Sequence, residues 1–294
     1  MLKEPLPTKG VWWIAFQVCT SIYLIARGYL TWRWDSPIRG LVWRENWWSP
    51  SIETGGGSRW SEFANQSDAF ITSGLTTTGI LLIILGVAPW VVRFSRFTKL
   101  VWLMIPATLI VFVDGFARWV GKGYEFGMAI EHVLQIGTPI LFLIACLRPE
   151  FSRRWILGAL ILSAMTFLGH AFYAIGFHNV PLNFKMMTQG LLGLSEKGAL
   201  NLLIVAGWLD IVAAVGVFFR AAQIPSLIYM IFWGGLTALA RVASNFDRSA
   251  DFFGLDPWLV ETLVRTPHWL IPLLILVLVK KKPSPNRFRE GSRA

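Results

Sequence analysis

Four ionisable side chains stand in one apolar stretch of this chain: Asp114, Arg118, Glu131 and His132, within VFVDGFARWVGKGYEFGMAIEHVLQIGTPILFL at 111–143. Carboxylate, guanidinium and imidazole groups together can hold a polar head group, steady the charge that builds on it and carry its protons. Hydrocarbon offers such groups no hydrogen bonds, so they face a bundle interior or a water-filled cavity. Asp114 and Arg118 are four residues apart and share a helix face. Glu131 falls near a helix start, where a carboxylate complements the helix dipole. An ion pair between Glu131 and Arg118 explains both as well as chemistry does.

Further along, Arg27, His170, Arg241 and His268 each lie in apolar sequence, and Asp210 lies deepest, about eleven residues from either end of its segment. Asp114, Glu131, His132 and His170 are the candidate acids, bases and proton donors, whereas Arg27, Arg118, Arg241 and His268 are candidate ligand contacts. Asp210 fits either an internal hydrogen bond to a neighbouring helix or a proton or ion relay. No metal-ligand spacing is present, and G-x-S-x-G, H-E-x-x-H, G-x-G-x-x-G and the phosphate-binding loop are all absent.

The elements that must position these groups are membrane spans. Hydrophobic residues make up 54% of the 294 and charged ones 15%, against about 25% charged in a soluble domain. A spanning helix needs about 20 mainly apolar residues. Eight segments qualify, at about 10–33, 69–93, 98–119, 126–147, 153–177, 199–220, 224–243 and 263–280. The expectation is therefore an all-α polytopic membrane protein, with a kink at Pro139 in the fourth span and Pro272 inside the eighth. Two loop segments, 37–48 and 182–195, mix apolar and polar residues as helices lying in the interface do. His178 is expected at the surface.

Charge sets the sidedness. With both ends inside, the cytoplasmic termini and loops hold fifteen basic residues against three acidic ones, and the rest of the chain twelve against fourteen, giving the net +10. That is the positive-inside pattern of a multi-pass protein of a prokaryotic inner membrane. The basic balance is a topology signal and points to no nucleic-acid partner; the tail at 283–294 suits anionic lipid headgroups. Cys19 and Cys146 form no C-x-x-C pair and read as small buried hydrophobes. The Gly55–Ser58 run GGGS is turn material.

The two halves also resemble each other. FARWV followed by EHVLQIGTPILFLI recurs as LARVA followed by ETLVRTPHWLIPLLILV, which matches Arg118 with Arg241, Glu131 with Glu261 and Pro139 with Pro272. LIARGYLTW likewise matches LGHAFYAIG, pairing Arg27 with His170. Two four-helix units, 1–149 and 150–282, would be related by a two-fold axis along the membrane normal. On this topology the ionisable groups other than Asp210 gather in the outer half of the membrane, as the lining of one polar pocket would.

A four-helix unit with an arginine or histidine late in its first helix, and A-R and E-x-[VL] signatures in its last two, resembles the DoxX-like superfamily, which includes the DoxD subunit of thiosulfate:quinone oxidoreductase and MauE-like proteins. The resemblance implies a redox component linked to quinone or to thiols, working with a membrane or periplasmic partner; the missing C-x-x-C speaks against the thiol branch. Three readings stand open: a quinone-linked oxidoreductase subunit, a transporter or scaffold without catalysis, and a haem protein using two of His132, His170 and His268.

Overall fold

The computed structural model describes residues 10–52, 59–92, 95–147, 151–246 and 252–281. The basic tail, the GGGS run and several of the basic loop residues expected on the cytoplasmic side lie outside them. Among the described residues the chain is all-helical, and eight helical segments are long and apolar enough to cross a membrane, which makes this a polytopic membrane protein.

Helix α1 (Val11–Arg33) leads through two short helices, α2 (Ile38–Val42) and α3 (Glu45–Ile52), to α4 (Arg59–Val91). A 3₁₀ segment, Ser95–Leu103, runs into α5 (Met104–Gly121), and the fourth span follows as α6 (Phe126–Glu131) and α7 (Val133–Leu147). The rest comprises α8 (Arg153–Ala174), α9 (Leu182–Leu192), α10 (Glu196–Gly216), α11 (Gln223–Ser244), α12 (Phe252–Val264) and α13 (Thr266–Lys281). The eight expected spans are present. Helix α4 starts about ten residues earlier than apolarity alone indicates, because RWSEFANQSD contains neither Gly nor Pro to stop it.

The segment expected to lie in the interface at 37–48 forms α2 and the start of α3, with Trp47 and Trp48 exposed. Arg44 reaches from it to the Val120 carbonyl at 2.9 Å, tying it to the end of α5. The segment at 182–195 forms α9, which lies against α10 and α11.

Helix α1 packs along α4 and also against α12 and α13; α8 packs along α10 and also against α6 and α7. Each half thus lends its first span to the other half's last. Backbones come very close where glycine allows it. A Cβ on Gly28 would fall 2.5 Å from the Gly79 carbonyl oxygen, so α1 and α4 meet through small residues as membrane helices commonly do. On the outside Phe70, Ile84, Val212, Phe232 and Leu239 are exposed, apolar and suited to lipid.

Spans four and eight are each interrupted once, away from Pro139 and Pro272. Both prolines lie inside continuous helix, and the helices break at His132 and at Arg265 instead. At the first break α8 supplies a partner: Thr166 Oγ1 accepts the Leu134 N–H at 3.2 Å. A buried backbone donor is satisfied there by a side chain rather than by water.

Candidate functional site

Two polar features meet between these helices. The first is an ion cluster. Arg27, six residues before the end of α1, points into the bundle and is 3% exposed, so it does not reach outward to the interface. Its guanidinium donates to Gln135 Oε1 at 3.0 Å and lies 3.5 Å from Asp114 Oδ2. Arg118 pairs with the same carboxylate at 3.0 Å, in the i, i+4 geometry expected. Ser36 donates to the other oxygen, Asp114 Oδ1, at 3.1 Å. Asp114 is therefore a buried carboxylate held by two cations and a hydroxyl.

The second is a cavity of about 370 Å³ bounded by α8, α9, α10, α11 and α13. Its wall is mostly apolar, from residues such as Phe167, Leu203, Leu236 and Leu239. His170, Arg241, Arg265 and His268 supply polar groups, and Asp210 contributes a carboxylate. His170 and His268 pack ring to ring with centroids 5.4 Å apart. His170 Nδ1 lies 3.5 Å from Glu131 Oε1, so the partner of Glu131 is His170 and not Arg118. Arg265 ion-pairs with Glu261 one turn back on its own chain.

Two polar atoms on this side have no hydrogen-bond partner among the described residues. Arg241 is 6% exposed and its Nε is unsatisfied, and His268 is 4% exposed with its Nδ1 unsatisfied. Buried donors and acceptors without partners are uncommon in folded chains. Here both belong to side chains on the wall of a cavity.

Asp210 accepts from the Tyr229 hydroxyl at 2.9 Å, and Trp233 lines the cavity with it. Trp233 and Arg241 are eight residues apart on α11, a rise of about 12 Å. The acid and the basic group thus stand at different heights in one cavity.

The two features are electrostatically joined. Glu131 feels His170, His132, Arg265 and Arg241, and Glu261 feels Arg265, Arg27, Arg118 and Arg241. Of the residues singled out from the sequence, His170, Arg241, His268 and Asp210 line the cavity. Arg27, Asp114 and Arg118 form the neighbouring cluster instead. Glu131 and His132 lie at the break between α6 and α7, with His132 Nδ1 3.4 Å from the Met128 carbonyl. His178, expected at the surface, is half-buried and accepts the Gly127 N–H at 3.0 Å, which fixes the start of α6.

Gln135, Ser36, Tyr229 and Arg265 escape a search for ionisable motifs. Three are neutral, and Arg265 sits beside a proline-rich turn that reads as a helix start. Its i, i+4 spacing from Glu261 is the one signal that could have flagged it.

No family model, no curated protein and no solved structure matches this chain. Among the described residues no group of three His, Cys, Asp or Glu side chains is placed to hold a metal ion. His170 and His268 are in direct ring contact, which leaves no gap between them for a porphyrin.

Proposed function

We propose that this protein takes a quinone-like amphiphile from the bilayer into the cavity between α8, α10, α11 and α13, and acts there as the quinone-binding subunit of a redox pair. The observation that carries this is a largely apolar cavity with unsatisfied buried donors on its wall and lipid-facing residues at its rim. Leu202, Leu236 and Leu239 line the cavity and are 37%, 60% and 62% exposed on the outer faces of α10 and α11. A doorway in that position suits a ligand whose body is hydrocarbon.

Reduction of a quinone takes two electrons and two protons and places negative charge on its oxygens as electrons arrive. A guanidinium and an imidazole N–H beside those oxygens stabilise that charge. Arg241 and His268 fill this role, with His170 and Glu131 behind them for proton transfer. Electrons would pass to or from a membrane or periplasmic partner protein.

The same reading takes the chain as a DoxX-like protein of a prokaryotic inner membrane, built by duplication, with both ends cytoplasmic. Matching packing supports the duplication, since α1 relates to α4 as α8 does to α10. Superposing the two helix breaks pairs His132 with Arg265, Gln135 with His268 and Pro139 with Pro272, and sets Glu261 three residues out of step with Glu131. The contact Arg27–Gln135 then corresponds to His170–His268. In this account Asp114 and its partners are a structural version of the site, and the second half keeps the open one.

Decylubiquinone titrated into the full-length protein in phosphatidylcholine nanodiscs tests the proposal. Saturable binding that weakens about tenfold in His268→Phe at unchanged folding supports it; no saturable binding of any quinone analogue sinks it. Sidedness is tested with Ser284→Cys and Lys122→Cys, of which only the second should react with an impermeant maleimide on intact cells. A carrier is a second reading, favoured by Asp210 standing deep in the same cavity.

A further inference from the structure

One cation on the cavity wall has no direct partner among the described residues. Four buried or half-buried guanidiniums, Arg27, Arg118, Arg241 and Arg265, are coupled to three carboxylates, Asp114, Glu131 and Glu261. Charging any of the histidines only adds to the excess. Asp210 stands on the same wall but accepts a hydrogen bond from Tyr229 and is in no ion pair.

Direct pairing leaves one of the four guanidiniums out. Arg27 and Arg118 share Asp114, and Arg265 holds Glu261. The Arg241 side chain makes no ion pair or hydrogen bond among the described residues, and it lines the cavity. Its electrostatic neighbours are a second cation, Arg265, and the carboxylates Glu261 and Glu131, none of which it contacts directly. An unpaired charge in the hydrocarbon zone costs several kcal/mol. An anion brought in by a ligand would remove that cost.

We infer that the cavity selects a single-chain amphiphile whose head carries one negatively charged oxygen group, and that Arg241 is the residue that binds it. This rests on the proposed cavity as a ligand site and adds the charge of the ligand. The apolar wall takes the chain, and the unsatisfied His268 Nδ1 stands on the same wall as a second polar contact for the head. The acid hydroxyl of a hydroxyquinone, the carboxylate of a fatty acid and the phosphate of an alkyl phosphate share this chemistry.

The test uses the full chain in phosphatidylcholine nanodiscs with radiolabelled palmitate, displaced in turn by hexadecyl phosphate, hexadecanol, decylubiquinone and chloride. The expected result is that both acids bind at least about tenfold more tightly than hexadecanol, which matches one charge-assisted contact. Arg241→Gln should abolish that difference, and Arg241→Lys should retain part of it. Arg241→Gln should also leave the melting temperature unchanged or higher, because it removes an unpaired charge.

Equal affinity for palmitate and hexadecanol overturns the inference, as does displacement by chloride with no dependence on chain length. If decylubiquinone binds as tightly as palmitate and ignores Arg241→Gln, the inference falls while the quinone-binding proposal stands. Tight acids with no quinone binding do the reverse. Absence of all amphiphile binding removes both. Should Arg241→Gln fail to fold, Arg241→Lys decides, since full acid selectivity in that variant rules out guanidinium recognition.

Discussion

His170 of α8 and His268 of α13 pack with their ring centroids 5.4 Å apart and their planes inclined by 44°, while His170 Nδ1 lies 3.5 Å from Glu131 on α6. The Glu131–His170 contact joins the first and second halves of the chain beside the cavity. The order Glu131, His170, His268 runs from a carboxylate held inside the bundle to an imidazole whose Nδ1 has no partner among the described residues. Under the proposed function these three groups would pass a proton to a bound head group.

If the ring contact is energetic as well as geometric, His170→Phe and His268→Phe will not add. A double-mutant cycle on unfolding in mixed detergent should give a coupling of about 0.5–1.5 kcal/mol. Additive losses would mean that the rings are merely adjacent. Ligand affinity separates the two residues, since His268→Phe should weaken binding about tenfold and His170→Phe much less.

Asp114 is expected to act on stability and not on the ligand. Removing its carboxylate leaves Arg27 and Arg118 buried without a counter-charge, which costs about 3–5 kcal/mol. Asp114→Ala should therefore express poorly and melt early, while the fraction that folds binds ligand as the parent does. Normal stability with lost binding would place Asp114 in the site itself.

The spans were readable from the sequence because lipid imposes length and apolarity on each helix separately. What α4 does beyond the membrane was hidden, as RWSEFANQSD is polar and simply lacks a stop signal. The clustering of charge at one depth was also legible, since depth follows from residue count. How that charge divides was not. Whether Arg27 meets Gln135 or the lipid interface depends on the rotation of α1 against α7, and Gln135 has no periodic signal. The helix breaks at His132 and Arg265 carry no local signal, because they are set by partners across the bundle, such as Thr166.

Helix α8 offers a controlled pair of glycine substitutions. A Cβ on Gly169 would sit 2.6 Å from the Glu131 nitrogen and 2.7 Å from its Cα, so α6 must move away from α8. On Gly158 it would meet nothing within 4 Å. Gly169→Ala should destabilise by about 1–3 kcal/mol through overpacking and reduce ligand affinity by disturbing Glu131 against His170. Gly158→Ala should gain up to about 1 kcal/mol from helix propensity. Equal behaviour of the two in thermal unfolding would show that the close approach of α6 and α8 carries no weight.

Asp210 decides whether the cavity handles protons. Its carboxylate accepts from Tyr229 and stands below the basic groups on a wall that is otherwise hydrocarbon. Asparagine preserves the size and the acceptor oxygen but cannot take up a proton at neutral pH. Asp210→Asn should fold normally and bind ligand within about threefold of the parent, a difference below 1 kcal/mol. Its proton uptake or release on ligand binding, read with an indicator dye in weakly buffered nanodiscs, should fall, and what remains is the share carried by Glu131 and His170. Asp210→Leu removes the acceptor as well and should cost a further 1–2 kcal/mol or so, softened because the Tyr229 hydroxyl also lies 3.3 Å from the Ala206 carbonyl. Unchanged proton exchange in Asp210→Asn would make Asp210 a structural anchor for Tyr229 and shift the proton route to Glu131 and His170.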